Sequence, residues 1–471
     1  MPRDPTAHRL DQRLAAEQSR SRLPSVAAGI VRKGKLAWFG SAGEVDGAAP
    51  TEDTQYRCGS ISKTFVAVEV MRLRDEGLVD LSAPIGTYLP ELAHVPCNIA
   101  HLLSHTSGLR AETAGPWWER TPGVSFAELV QSSVRVVDLL DSPGRRFHYS
   151  NVGYAVLGEL ISRVRAEAWD DVVDTELLRA LGMVRTTTHP VRPFAGGLGV
   201  HPHADVVLSE PEHDAVSMAP AGQLWTTVSD LCRWSAVLAG QRPDVLSPET
   251  AAEMREPIAI SDLPDLPWTT AHGLGIQVFN RDGRRSYGHY GSMPGFLAAL
   301  RIDAPTGDGV IVMTNTTSGL APTLEAELLS SFQEHEPMPE EAWSPVRGGV
   351  DRALLEITGA WYWGTSAFVL SVSKNGDLSL RTLALGREAD FRPAGDDTFV
   401  GLSGYYAGET LHIVRDEAGR VNALDIGSFI LTRVPYDPSA PVPGGVSGQG
   451  WTGSAPEPAR HVPLPHLRRR D

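Results

Sequence analysis

The stretch Cys58-Gly59-Ser60-Ile61-Ser62-Lys63-Thr64-Phe65 sets a hydroxyl and an amine three residues apart at the start of an apolar helical run. On a helix, positions i and i+3 share a face, which brings the Ser60 hydroxyl and the Lys63 amine within hydrogen-bond reach. Gly59 allows a tight entry turn, and the free amides of a helix N-terminus favour negative charge near Ser60. A serine beside its own base is the equipment of acyl transfer through a covalent intermediate. Lysine is rare in this chain: Lys33, Lys35, Lys63 and Lys374 stand among 42 basic residues. Arginine keeps its proton in a protein, whereas a buried lysine can be turned into a base. A lysine at 63 is therefore what a general base requires.

The same spacing recurs in Ser371-Val-Ser-Lys374, where it means something else. Phe368 to Leu380 alternates apolar and polar residues about an Asn375-Gly376 turn, the pattern of a β-hairpin. Positions i and i+3 of a strand face opposite sides, so this second pair is read as structural.

Two further stretches carry polar groups suited to the same chemistry. Tyr149 and Asn151 follow a Pro-Gly turn and precede an apolar helical run, and both are expected on the loop between. A phenol near a lysine can exchange protons with it, and an asparagine amide can both hold the lysine and bind a substrate amide. His289, Gly291 and Ser292 lie at a Gly-rich corner between strand-like segments, where Gly291 permits close backbone approach and the Ser292 N–H can meet a carbonyl oxygen. Taken singly, each also reads as a buried tyrosine, a turn asparagine or a tight turn. Cys58 is a rival nucleophile, as a reactive thiol. His101 and His105 are either catalytic or, the preferred reading, ordering groups for a loop near the site.

The elements that position these residues follow from periodicity. Residues 8–22 read as a helix, Ser25–Val31 and Lys35–Phe39 as a strand pair, and Ser60 to Leu73 as a helix ended by Gly77. Thr227-Val-Ser-Asp230 opens a capped scaffold helix. From Leu354 to Val434, short alternating segments between turn signals predict a small antiparallel β domain of barrel type. The expected organisation is a hydrolase domain over 1–340, a β domain over 350–435 and a disordered tail over 436–471, rich in Pro, Gly and Ser.

Bulk properties remove whole classes of function. A formal charge of −15 without a basic patch argues against nucleic acid as a partner, and no run approaches the length of a membrane span. Three scattered cysteines form neither a disulfide framework nor a zinc site. The polar, charged stretch from Met1 to Leu23 lacks a signal-peptide core, so a cytoplasmic location is expected. The sequence leaves the oligomeric state open.

In chain order, Ser60-x-x-Lys63, Tyr149-x-Asn151 and His289-x-Gly291 resemble the three active-site motifs of the serine β-lactamase and penicillin-binding-protein superfamily. Leu102 to Leu109, Pro220 to Trp225 and Met293 to Phe296 are similar to recurrent segments of its class C β-lactamase, D-alanyl-D-alanine peptidase and family VIII esterase branch (peptidase family S12). The β domain resembles the lipocalin-like appendages of some members. The resemblance implies an α/β (α+β) fold, an antiparallel sheet flanked by helices with an inserted helical subdomain. It implies Ser60 as nucleophile, Lys63 as base and Tyr149 as proton carrier. Asn151, His289, Gly291 and Ser292 would bind substrate, the N–H groups of Ser60 and Ser292 forming the oxyanion hole. Neither metal nor organic cofactor is implied. β-Lactamases of this branch usually carry lysine where this chain has His289, so the resemblance points to an esterase, D-aminopeptidase or carboxypeptidase acting on ester, thioester or amide bonds. Two alternatives stand beside it: a thioesterase that releases and cyclises nonribosomal peptides, and a ligand-binding sensor without catalysis.

Overall fold

The computed structural model describes residues 4–435 except 136–138, 264, 282, 340–341, 346–350, 383–386 and 428. The tail expected to be disordered, 436–471, lies outside the described residues. The chain divides into two compact units, Met1–Pro339 and Glu340–Asp471.

The first unit is built on an eight-stranded antiparallel sheet. Its strands in chain order are β1 (Ser25–Arg32), β2 (Lys35–Gly43), β3 (Ala259–Ile260), β4 (Thr270–His272), β5 (Gln277–Arg281), β6 (Arg284–Met293), β7 (Phe296–Asp303) and β8 (Gly309–Thr314), and they lie in the order β2-β1-β8-β7-β6-β5-β4-β3. Alternation along the central strands sorts side chains between two helical layers. Val26, Ala28 and Ile30 of β1 and Val310 and Val312 of β8 pack with Leu10 and Leu14 of α1 (Asp4–Arg20) and with Leu324, Leu328 and Phe332 of the helix Leu324–His335. Ala27, Val31, Ile311 and Met313 face the larger core on the opposite side. That core surrounds α2 (Ser62–Asp75), buried from Ser62 to Met71. A helix buried on every side lies in the middle of a domain, and here it carries Lys63 and Glu69 inside with its apolar residues. Phe65 of α2 stacks on Trp234 at 3.9 Å, and the Trp234 indole donates to Thr64.

Between α2 and Tyr149 lie the short helices Ile99–Leu103 and Phe126–Ser133, part of the expected inserted helical subdomain. The helix α3 (Asn151–Arg165) follows, capped by the Ser150 hydroxyl, which accepts from Gly153 N. Asn151 is thus the first helical residue rather than a loop residue. The scaffold helix α4 (Val228–Leu238) is capped by Thr227 through Asp230 N.

The second unit contains the closed eight-stranded barrel that alternation predicted, from Gly359–Trp363 to Phe429–Thr432. Trp361, Phe391, Leu411 and Leu424 fill its interior. No helix among the described residues is long and apolar enough to cross a membrane.

Candidate active site

The nucleophile turn is held by backbone. Tyr56 and Arg57 pair antiparallel with Thr226 and Trp225, and Cys58 N donates to Leu224 O at 2.8 Å. This short ladder lays Pro220–Leu224 against the turn. Gly59 has φ +54°, and a Cβ on it would stand 2.5 Å from Ser292 N. A Cβ on Gly291 would stand 1.9 Å from Cys58 O and 3.2 Å from Ser60 N. Two glycines therefore let β6 and the nucleophile turn touch backbone to backbone, bringing the amides of Ser60 and Ser292 to one place. The first turn, Gly59–Ile61, is a 3₁₀ turn, and α2 proper begins at Ser62.

Lys63 Nζ lies 2.9 Å from Ser60 Oγ and donates to Ala221 O at 2.5 Å. The lysine is fully buried, and burial brings its pKa down to about 7 against the opposing pull of Glu112 and Glu119. Desolvation penalises the ammonium form, so an appreciable fraction of Lys63 is a neutral amine at pH 7. In that form it donates to the Ala221 carbonyl and offers its lone pair to the Ser60 hydroxyl.

Tyr149 completes the triangle. Its phenol hydrogen-bonds Ser60, burial raises its pKa, and Lys63 Nζ sits 5.1 Å from its ring centroid. His105 stacks on Tyr149 at 4.2 Å, with its Nδ1 accepting from Ser150 N at 3.0 Å. His101 accepts from Asn98 N within the cap of Ile99–Leu103. His105 packs on Tyr149 and orders its surroundings, whereas the His101 ring serves the cap of its own short helix. His289 is buried on β6, and its Nδ1 bonds the Tyr290 carbonyl at 2.5 Å. That bond puts the proton on Nδ1 and leaves Nε2 as an acceptor. Burial, with Lys63 and His272 nearby, holds His289 well below the ordinary histidine range. Position 289 is therefore uncharged at neutral pH.

Asn151 differs from expectation in its partner. Lys63 takes Ser60 and Ala221, while Asn151 Nδ2 donates to Glu112 Oε1 at 2.8 Å. Glu112 Oε2 accepts from Trp118 Nε1 at 2.6 Å, and Glu119 accepts from Trp117 Nε1 at 2.8 Å. Cys58 is fully buried, and burial pushes its thiol up to about 11, away from the thiolate a nucleophile needs.

The structure thus gathers Ser60, Lys63, Tyr149, His289, Gly291 and Ser292 about one point, with Asn151 turned toward a carboxylate. Sequence reasoning singled out Pro220 to Trp225 without giving Ala221 a role, and missed Glu112, Glu119 and His272. Ala221 contributes a carbonyl, which any residue type carries, and the two glutamates arrive on an irregular loop with no spacing to mark them. His272 left a faint signal, a histidine just before the Gly273-Leu-Gly275 turn.

Residues 10–330 match the family described as Beta-lactamase, and residues 350–433 match a domain of unknown function, DUF7586. Penicillin-binding protein 4 of Amycolatopsis lactamdurans is 27% identical over 299 residues, 60% of this chain and 77% of that protein. The octameric penicillin-binding protein homologue from Pyrococcus abyssi superposes with a TM-score of 0.62 at 20% identity, over 90% of this chain and 99% of its own. The D-amino acid amidase from Ochrobactrum anthropi SV3 superposes with a TM-score of 0.60 at 23% identity, over 70% of this chain and 97% of its own. At such identities the two superpositions speak to the fold.

Proposed function

Because the chain belongs to the Beta-lactamase family, we propose that it is a serine hydrolase forming an acyl-enzyme on Ser60 from small or peptidic esters, thioesters or amides. The observation that carries this reading is the fully buried Lys63 amine, 2.9 Å from Ser60 Oγ and tuned to about 7. Ser60 Oγ attacks the substrate carbonyl while Lys63 takes its proton. The oxyanion that forms is met by the N–H groups of Ser60 and Ser292, donors worth about 10²–10³ in rate each. Tyr149, kept protonated by burial, gives its proton to the leaving group and is resupplied through Lys63. Water then attacks the ester on Ser60: Tyr149 takes the water's proton as it passes its own to the neutral Lys63 amine, and Lys63 returns that proton to Ser60 Oγ as it leaves. Asn151, His289 and Gly291 line the substrate side.

An uncharged His289 supplies no fixed cation for a substrate carboxylate, which favours esterase or amidase chemistry over β-lactam hydrolysis. The barrel is read as a lipocalin-like appendage with a scaffold role, since side chains fill its interior.

Mass spectrometry of products from ester, thioester and anilide donors with D- or L-residues, comparing the protein with Ser60→Ala, tests the proposal. Linear acid that forms only with Ser60 present supports it. Equal rates in the variant overturn it, and Ser60-dependent cyclic product moves the acceptor from water to the amine of the acyl chain.

A further inference from the structure

The partner of Asn151 decides which end of its amide faces the substrate. A carboxylate accepts hydrogen bonds and donates none, so Glu112 must be met by the Asn151 nitrogen, and the amide oxygen must point the other way. That oxygen belongs to a side chain on a residue 8% exposed, and it has no hydrogen-bond partner. Rotation of the amide would set oxygen against oxygen at Glu112. Glu112 is itself pinned by the Trp118 indole.

The surroundings are acceptor-rich and anionic. Glu119, held by the Trp117 indole, bears electrostatically on Lys63, as Glu112 does, and both bear on Tyr149. Lys63, a fraction of which is neutral near pH 7, and Arg57, which lies under the influence of Glu212 and Asp214 as well as Glu119, are among the cations that feel these carboxylates. An unpaired buried acceptor on an amide held by Glu112, a carboxylate that bears electrostatically on Glu119, asks for a donor that brings positive charge.

We propose that the acyl group delivered to Ser60 carries a free, protonated amino group, received by Asn151 Oδ1 and the Glu119 carboxylate while Glu112 holds the Asn151 amide in the orientation this requires. This rests on the reading of Ser60 as an acylated nucleophile, and it narrows the substrate class to aminoacyl amides and esters. An N-acylated donor still has an N–H for Asn151, but it brings no charge to the carboxylates. Glu112 and Glu119 act on binding and selectivity and take no part in bond making.

The test compares kcat/KM of the full chain for the p-nitroanilides of D- and L-alanine, their N-acetyl derivatives and propionic acid, each with Ser60→Ala as control. The expected result is at least a tenfold preference for a free amine over both the N-acetyl and propionyl donors at pH 7. That preference fades above pH about 8, where an α-amino group loses its proton. Glu119→Gln should bring the ratio toward one, and Glu119→Asp should restore part of it, which a merely structural glutamate would not do. Ser60-dependent hydrolysis without preference for the free amine overturns the ammonium site and leaves the hydrolase standing. No Ser60-dependent hydrolysis of any donor overturns both.

Discussion

The chain contains Ser-x-x-Lys twice, and the two copies meet opposite fates. In Ser60-Ile-Ser-Lys63 the backbone coils, so the two side chains converge at 2.9 Å inside a core that strips water from the amine. In Ser371-Val-Ser-Lys374 the backbone is extended over Ser366–Val372 and then turns, both residues are exposed, and Ser371 Oγ is directed to Ser379 O across the hairpin. Four residues of similar type thus give a nucleophile and its base in one place and a stretch of barrel surface in the other. Conformation makes the first difference and burial the second. A helix supplies proximity, but without desolvation a lysine stays an ammonium and cannot take a proton.

The sharpest way to break this comparison is to exchange the two serines' fates. Ser60→Ala should lower turnover by about 10⁴-fold or more, the scale seen when a nucleophile is removed, while Ser371→Ala should leave kcat unchanged. Steady-state rates on one hydrolysed donor decide it, and equal losses in the two variants would erase the distinction. Lys63→Arg keeps a cation and removes the base, so a loss of about 10²–10⁴ is expected. Lys374→Arg should be silent in the same assay. Gly291→Ala would drive a Cβ into Cys58 O at 1.9 Å and push β6 off the nucleophile turn. With the Ser292 amide displaced, kcat should fall by about 10²–10³.

Acidity gives a graded version of the contrast. The working form of Lys63 is the neutral amine, and burial sets its midpoint at about 7. The neutral fraction grows as pH rises through that midpoint, so kcat/KM should climb about tenfold per pH unit below it and level off above. A profile flat from pH 5 to 8, measured on an uncharged N-acetyl donor, would remove Lys63 as the base.

What the sequence made legible was local. The i, i+3 relation of Ser60 and Lys63 needs only a helix, and the apolar run from Val66 to Leu73 announced one. The barrel was readable because each strand repeats the same alternation and closes on glycine turns. The other contributions were hidden for identifiable reasons. Ala221 acts through its carbonyl, delivered by the two-residue ladder of Tyr56 and Arg57 with Trp225 and Thr226, and such a ladder is too short to leave a pattern. Glu112 and Glu119 lie on a stretch without period. Their effect on Asn151 is tertiary, which is why the asparagine was expected to hold Lys63 and turns to a carboxylate instead. The 3₁₀ turn at Gly59–Ile61 was also invisible; it sits where the backbone of Ser292, on a distant strand, comes against a glycine.

The smallest effect separates the glycines that accompany the two copies. Gly59 and Gly376 both have positive φ, +54° and +85°, so alanine at either site meets the same left-handed strain of about 1–2 kcal/mol. Their neighbours differ. A Cβ at Gly376 would find Pro393 Cγ at 3.7 Å and Leu354 Cδ1 at 3.8 Å, ordinary contacts, whereas at Gly59 it would strike the Ser292 backbone. Gly376→Ala should therefore lower the barrel's unfolding free energy by about 1 kcal/mol in a denaturant titration and leave hydrolysis untouched, because only the hairpin turn between Ser373 and Asp377 is strained. A loss of activity in Gly376→Ala would mean that the second Ser-x-x-Lys copy communicates with the first, and the contrast drawn from backbone conformation would fail.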